Sequence, residues 1–268
     1  MLGFAETFGA LLGAFLVPTF VGLAIISLAS RSVPARYLAA FAVGLYLWFF
    51  SDTIGDASLL GVSEGFTGGA WHVVLWVVFA VGLTVFFLAD RDMFAEGTTN
   101  ESLGFAIPIL VALAVGIHGF GEGAAVGATA ATSPSGNLLD AFGGLSAASA
   151  FLLHKGLEPM MVGAAYWIYA RDHAKNGTER LRDITLLALA FTLPGIVGGA
   201  VSYYLVQAYP SADFTYVFAL GLGTSIYAAL RLVRPVFRGT GGGSESLKTA
   251  LVLILGFLCL YLAASLHS

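Results

Sequence analysis

"IHGFGEGAAVG", residues Ile117 to Gly127, sets a histidine and a glutamate four positions apart among glycine, alanine and valine. The run lies within an apolar stretch of about 102–131, which exceeds the roughly 20 residues that cross a bilayer's hydrocarbon core. It therefore reads as a membrane helix. An ionised side chain at its middle costs about 2.5–3.5 kcal/mol, so His118 and Glu122 need partners that offset that cost.

The rest of the chain is built in the same way. Its 268 residues are 58% hydrophobic and 10% charged, against about 25% charged in a soluble globular domain. Apolar stretches fall at about 5–29, 35–59, 70–89, 102–131, 138–170, 183–208, 213–233 and 248–266. The expected fold is an all-α polytopic membrane protein of eight transmembrane helices, a single transmembrane domain over residues 1–268 with nothing left for a soluble one. The first stretch has no basic residue before it and outruns a signal-peptide core, so it is expected to be a retained helix. Cys259, the one cysteine, excludes an internal disulfide and a thiolate metal cluster.

Lys and Arg set the expected orientation. They lie after the first stretch (Arg31, Arg36), the third (Arg91), the fifth (Arg171, Lys175, Arg180, Arg182) and the seventh (Arg234, Arg238, Lys248), and the other connections have none. Both termini are thus expected outside a plasma membrane. The outer side then carries Glu6, Asp52, Asp56, Glu64, Asp140 and Asp213 without balancing bases, a charge pattern that concentrates cations. Asp52 and Asp56, four apart at the outer end of the second helix, are candidates to pass a metal inward; taken singly, such acids also read as solvated helix ends.

An internal repeat organises the spans. "PTFVG" (Pro18–Gly22) returns as "PGIVG" (Pro194–Gly198), and "FAVGL" (Phe41–Leu45) as "FALGL" (Phe218–Leu222). Elements five helices apart cross in opposite directions, which gives an inverted 3+2+3 arrangement of the kind that flanks a midplane site in secondary transporters. The competing reading is chance similarity in a chain rich in Gly, Ala and Val.

The central pair carries the chemistry. The fourth helix holds His118 and Glu122; the fifth holds His154 and Glu158 in "FLLHKGLEPMMVG". Positions i and i+4 share a helix face, and the short connection "TSPSGN" makes the two helices antiparallel neighbours. Two imidazoles and two carboxylates converging at mid-depth suit a borderline divalent cation, Zn²⁺ first and Fe²⁺ or Mn²⁺ as well. One such histidine alone would read as an interhelical hydrogen bond and one glutamate as a protonated acid; the repetition favours metal. Gly119, Gly121, Gly123 and Gly127 allow close helix approach, and Pro108 and Pro159 loosen the backbone ladder. Lys155, beside His154, must find an anion or lose its proton. Glu122 and Glu158 are its nearest candidates; alternatively it faces a water-filled inner vestibule.

"HGFGEG" and "HKGLEP" resemble the paired motifs, roughly HNxPEG and HExPEG, of the ZIP (Zrt- and Irt-like protein) metal transporters. Helix seven, "GTSIYAALRLVRP" (Gly223–Pro235), is similar to the family's Gly-x-x-x-Tyr stretch that ends in an acidic pair before proline. The resemblance runs along the whole chain. It implies import of a divalent metal, with His118, Glu122, His154 and Glu158 as ligands of the principal site. The chain departs from the pattern at Gly119 (Asn in the family), Lys155 (an acid), near Gly198 (a glutamate) and at Arg231 and Arg234 (the acidic pair), each change removing a cation ligand outside that site. Against two-metal relatives, the resemblance implies that the Lys155 ammonium is a modulator in the place of their second metal, leaving one ion per subunit.

The expected function is therefore divalent cation transport by alternating access, not enzymatic catalysis. The expected partners are the cation and the lipid bilayer, with a homodimer left open and no nucleic acid. Rival readings are a b-type cytochrome with haem on two histidines, an intramembrane metal hydrolase, for which HExxH is missing, and a family member that binds metal without efficient transport. His72 and His173 read as ordinary surface histidines, and "DRDMFAEGTTNES" lacks a histidine run for metal sensing.

Overall fold

The computed structural model describes residues 2–56, 69–89, 104–209, 215–237 and 243–267. Its elements are α1 (Phe4–Ala29), α2 (Ala35–Asp56), α3 (Gly69–Ala89), α4 (Ala106–Thr132), the short α5 (Leu138–Ala141), α6 (Leu145–Asp172), α7 (Gly177–Ala208), α8 (Thr215–Phe237) and α9 (Gly243–Ala264). A 3₁₀ turn, Ser265–His267, follows, and the described residues contain no strand. Among the described residues, five helices are long and apolar enough to cross a membrane: α1, α4, α7, Tyr216–Val233 of α8 and Glu245–Ala264 of α9. Shorter apolar stretches occupy Ala35–Ser51 and Val73–Ala89. α6 is not among the five, and its middle carries His154, Lys155 and Glu158.

Apolar residues cover the outside as well as the mainly apolar interior, and a few polar groups are buried within it. Leu251, Ile254, Leu255, Leu258 and Leu262 form an exposed stripe on α9, while Thr19, His118, Lys155, Glu158, Thr192 and Ser202 are buried. A water-soluble monomer rarely exposes so continuous an apolar surface. α4 lies at the centre, with 67% of its apolar window buried against 22% for α9 at the margin.

Two groups of helices pack through glycine. In one, α4 lies along α7: a β-carbon at Gly123 would stand 1.9 Å from the Gly195 carbonyl oxygen, and one at Gly127 2.1 Å from that of Gly199. α1 and α6 meet likewise at Gly22, 2.0 Å from the Gly156 carbonyl. In the other group, α2 meets α9 reciprocally through Gly44 against Leu253 and Gly256 against Phe41, and α3 meets α8 through Gly82 against Leu220 and Gly223 against Phe79. No other residue permits backbones this close, and small residues are the usual means of packing helices in lipid. One end of the bundle is tied by polar contacts: the Arg171 guanidinium donates to the Ser30 and Val33 carbonyls, and Glu245 accepts from Arg36 and from the Tyr37 hydroxyl at 2.9 Å.

Three expectations change at element ends. The fifth apolar stretch, 138–170, is not one helix: it breaks at Gly143 and Gly144, with φ of 85° and 102°, values that favour glycine. α7 begins earlier than hydropathy places it. Asn176 accepts from the Glu179 amide at 2.9 Å while the Glu179 carboxylate accepts from the Asn176 amide at 3.1 Å, so a capping box starts the helix inside its charged segment. Pro108, expected to loosen α4, occupies its third position, where a backbone N–H has no helical acceptor to lose.

Candidate functional site

His118 and Glu122 project from the middle of α4, and His154, Lys155 and Glu158 from the middle of α6. The helical repeat stacks each i, i+4 pair on one face: His118 Nε2 is 3.8 Å from Glu122 Oε1, and His154 Nε2 is 3.3 Å from Glu158 Oε1. Lys155 joins the two helices. Its Nζ donates to Glu158 Oε2 at 2.6 Å and pairs with Glu122 Oε2. Each carboxylate is thus divided, with Oε2 on the ammonium and Oε1 toward a histidine.

One ligand atom from each of His118, Glu122 and Glu158 lies within 4.8 Å of the others. His154 stands apart from that set of three and reaches it through Glu158. His118, His154, Lys155 and Glu158 are between 0 and 3% exposed, whereas the Glu122 side chain retains 16%. Glu122 and His154 form the floor of a cavity of about 630 Å³ that runs toward the end of the bundle at α5.

Aromatic rings enclose the centre. The His118 ring packs edge-on between Phe49, at 4.7 Å, and Phe218, at 5.4 Å. Phe15, Phe151 and Phe191 lie 5.6 to 5.8 Å from Lys155 Nζ. A ring face attracts a cation most strongly when water is excluded. These phenylalanines carry no signal in the sequence, where they read as ordinary members of apolar runs.

Glycines decide what else reaches the centre. A β-carbon at Gly119 would lie 3.9 Å from Lys155 Nζ, so a longer side chain there would crowd the ammonium. At Gly198 a β-carbon would meet the Phe120 carbonyl oxygen at 2.2 Å, which bars any side chain from that point of α7.

The remaining candidates are placed elsewhere. Glu6 accepts from the Gly3 amide at 3.1 Å at the start of α1, the bonding of a helix cap. His173 sits over Tyr169, with Nδ1 2.9 Å from its carbonyl oxygen. Asp52 and Asp56 belong to the last turns of α2, and their side chains lie outside the described residues, as do Glu64, Asp213 and the side chains of His72 and Arg234.

Chemically, the centre offers imidazole nitrogen and carboxylate oxygen without sulfur, a donor set for a borderline or hard divalent ion. With Lys155 on the Oε2 atoms, each glutamate would bind such an ion through Oε1 alone. No protein-family model and no curated protein matches the chain.

Proposed function

We propose that the chain carries a divalent metal cation, zinc foremost, into the cytoplasm by alternating access, as a divergent member of the ZIP family with eight spans arranged 3+2+3. The observation that carries this reading is the buried meeting of His118, Glu122 and Glu158, drawn from two facing helices. His154, whose Nε2 stands 3.3 Å from Glu158 Oε1, supplies the fourth donor as the ion settles. The inverted repeat gains support from the packing. α2 meets α9 and α3 meets α8, the two pairings that the repeat would relate, each through a reciprocal pair of glycine contacts, though Gly223 and not Gly221, the counterpart of Gly44, makes the contact on α8. Both termini lie outside the plasma membrane in this reading.

Two of the departures from the family pattern act as one. Gly119 vacates the space beside Lys155 Nζ, and the ammonium then neutralises the carboxylate oxygens that a second metal would use. One ion per chain follows. Lys155→Glu should raise the bound metal from one to two equivalents, counted by elemental analysis of the purified protein; two tightly held ions in the unsubstituted chain would contradict this role for Lys155.

The lysine also favours a second reading, metal binding without efficient transport, because the incoming ion competes with the ammonium for the same two carboxylates. Uptake of Zn²⁺, Fe²⁺ and Mn²⁺ into sealed proteoliposomes decides between them. A carrier gives saturable uptake that His154→Ala and Glu158→Ala abolish; stoichiometric binding without accumulation selects the second reading.

A further inference from the structure

The cavity above the centre has walls unlike those of an ion path. Three phenylalanines line it, Phe142, Phe151 and Phe218, and the polar groups are few: Thr129 on the wall, Glu122 and His154 at the floor. At about 630 Å³ it lies in the range of about 300–1,000 Å³ typical of small-molecule sites, in which apolar walls take the body of a ligand and a few polar groups fix its orientation. We propose that this cavity is a binding site for a monovalent organic cation with an apolar body, an ammonium seated toward Glu122 among the phenylalanine rings.

Charge supports this first. Glu122 and Glu158 bear two negative charges and Lys155 one positive charge between them, so with neutral imidazoles the floor carries a net charge of minus one. A single ammonium balances that charge. The chain also already builds this environment for an ammonium of its own. Lys155 Nζ lies between the Glu122 and Glu158 carboxylates with Phe15, Phe151 and Phe191 around it. Phe151 is shared with the cavity, and Phe142 packs on it edge to face at 5.3 Å. The same combination, a carboxylate and rings, is therefore repeated one layer outward on the accessible side of Glu122. Rings and a carboxylate are the usual means of recognising alkylated ammonium groups. A small aqua ion draws no benefit from such walls.

This site shares Glu122 with the metal centre, so it is tested on metal-free protein and needs no transport of a metal. The test uses the full chain in lipid nanodiscs, with benzyltrimethylammonium as probe and neopentylbenzene, its uncharged isostere, as control, both measured by titration calorimetry. We expect saturable binding of the cation and affinity for the isostere at least about tenfold weaker. Phe142→Leu, which keeps apolar bulk and removes a ring that is not a metal ligand, should weaken the cation by about threefold or more. Glu122→Gln should remove most of its binding. No saturable binding to the folded protein, equal affinity for the isostere, or an unchanged affinity in Phe142→Leu would each overturn the proposal. Proteoliposome uptake of Zn²⁺ is measured separately, so failure of transport and failure of cation binding are told apart.

Discussion

Lys155 is fully buried, and its ammonium is held by the pair of carboxylates it bridges, with three phenylalanine rings around it. Removing one member of a buried ionic group is costly, about 3–5 kcal/mol, because the partners keep their charge without compensation. Lys155→Met should therefore lower the thermal unfolding midpoint in metal-free buffer. A divalent ion can replace the missing positive charge, so added Zn²⁺ should raise the midpoint of Lys155→Met by more than that of the unsubstituted chain. Equal metal-induced shifts would show that the ammonium and the metal do not use the same oxygens. Much of this centre is legible in the sequence. The i, i+4 spacing of His118 with Glu122 and of His154 with Glu158 is a property of the helix itself and needs no tertiary knowledge. The division of each carboxylate between lysine and histidine, and the space that Gly119 leaves for Nζ, depend on how α4 faces α6, and no local pattern encodes that.

Among the helices, hydropathy locates the apolar segments, of which five are long and apolar enough to cross a membrane among the described residues, and it places their ends poorly. It tracks burial in lipid, whereas the ends are set by caps and by backbone conformation. Gly143 and Gly144 break the fifth apolar stretch because their φ values lie in the left-handed region, and the capping box at Asn176 and Glu179 starts α7 in a charged segment. Glycine in the helix interiors has the opposite role, bringing backbones together. Gly123→Ala places a β-carbon against the Gly195 carbonyl, and overpacking of this kind costs about 1–3 kcal/mol even after the better helix propensity of alanine. Its unfolding midpoint should fall, and metal affinity with it, since Glu122 rides on the same helix. Gly9→Ala, with nothing within 4 Å of the added carbon, should be neutral or slightly stabilising. If both variants behave alike, close α4–α7 packing does not govern the stability of the centre.

Across the molecule as a unit, the one-sided placement of Lys and Arg fixes an expected orientation that side-specific labelling can check. In a Cys259→Ala background, Ser135→Cys in the α4–α5 connection and Lys175→Cys in the α6–α7 connection should react with a membrane-impermeant thiol reagent from opposite faces of sealed vesicles. Reaction of both from one face would refute the threading. The all-α architecture and its buried polar middle are legible because composition dictates them. Which helices pack against which is not, since apolar stretches are interchangeable in sequence, and only glycines such as Gly44 and Gly256 mark the contacts.

The proposed transport depends on the buried histidines and glutamates closing on one divalent ion. X-ray absorption at the zinc edge, on protein loaded with one equivalent of Zn²⁺, measures that directly. The expected spectrum is a sulfur-free shell of nitrogen and oxygen at about 2.0–2.2 Å, with imidazole scattering that His118→Ala diminishes. Loss of the metal on desalting, or a shell unchanged by His118→Ala, would contradict it.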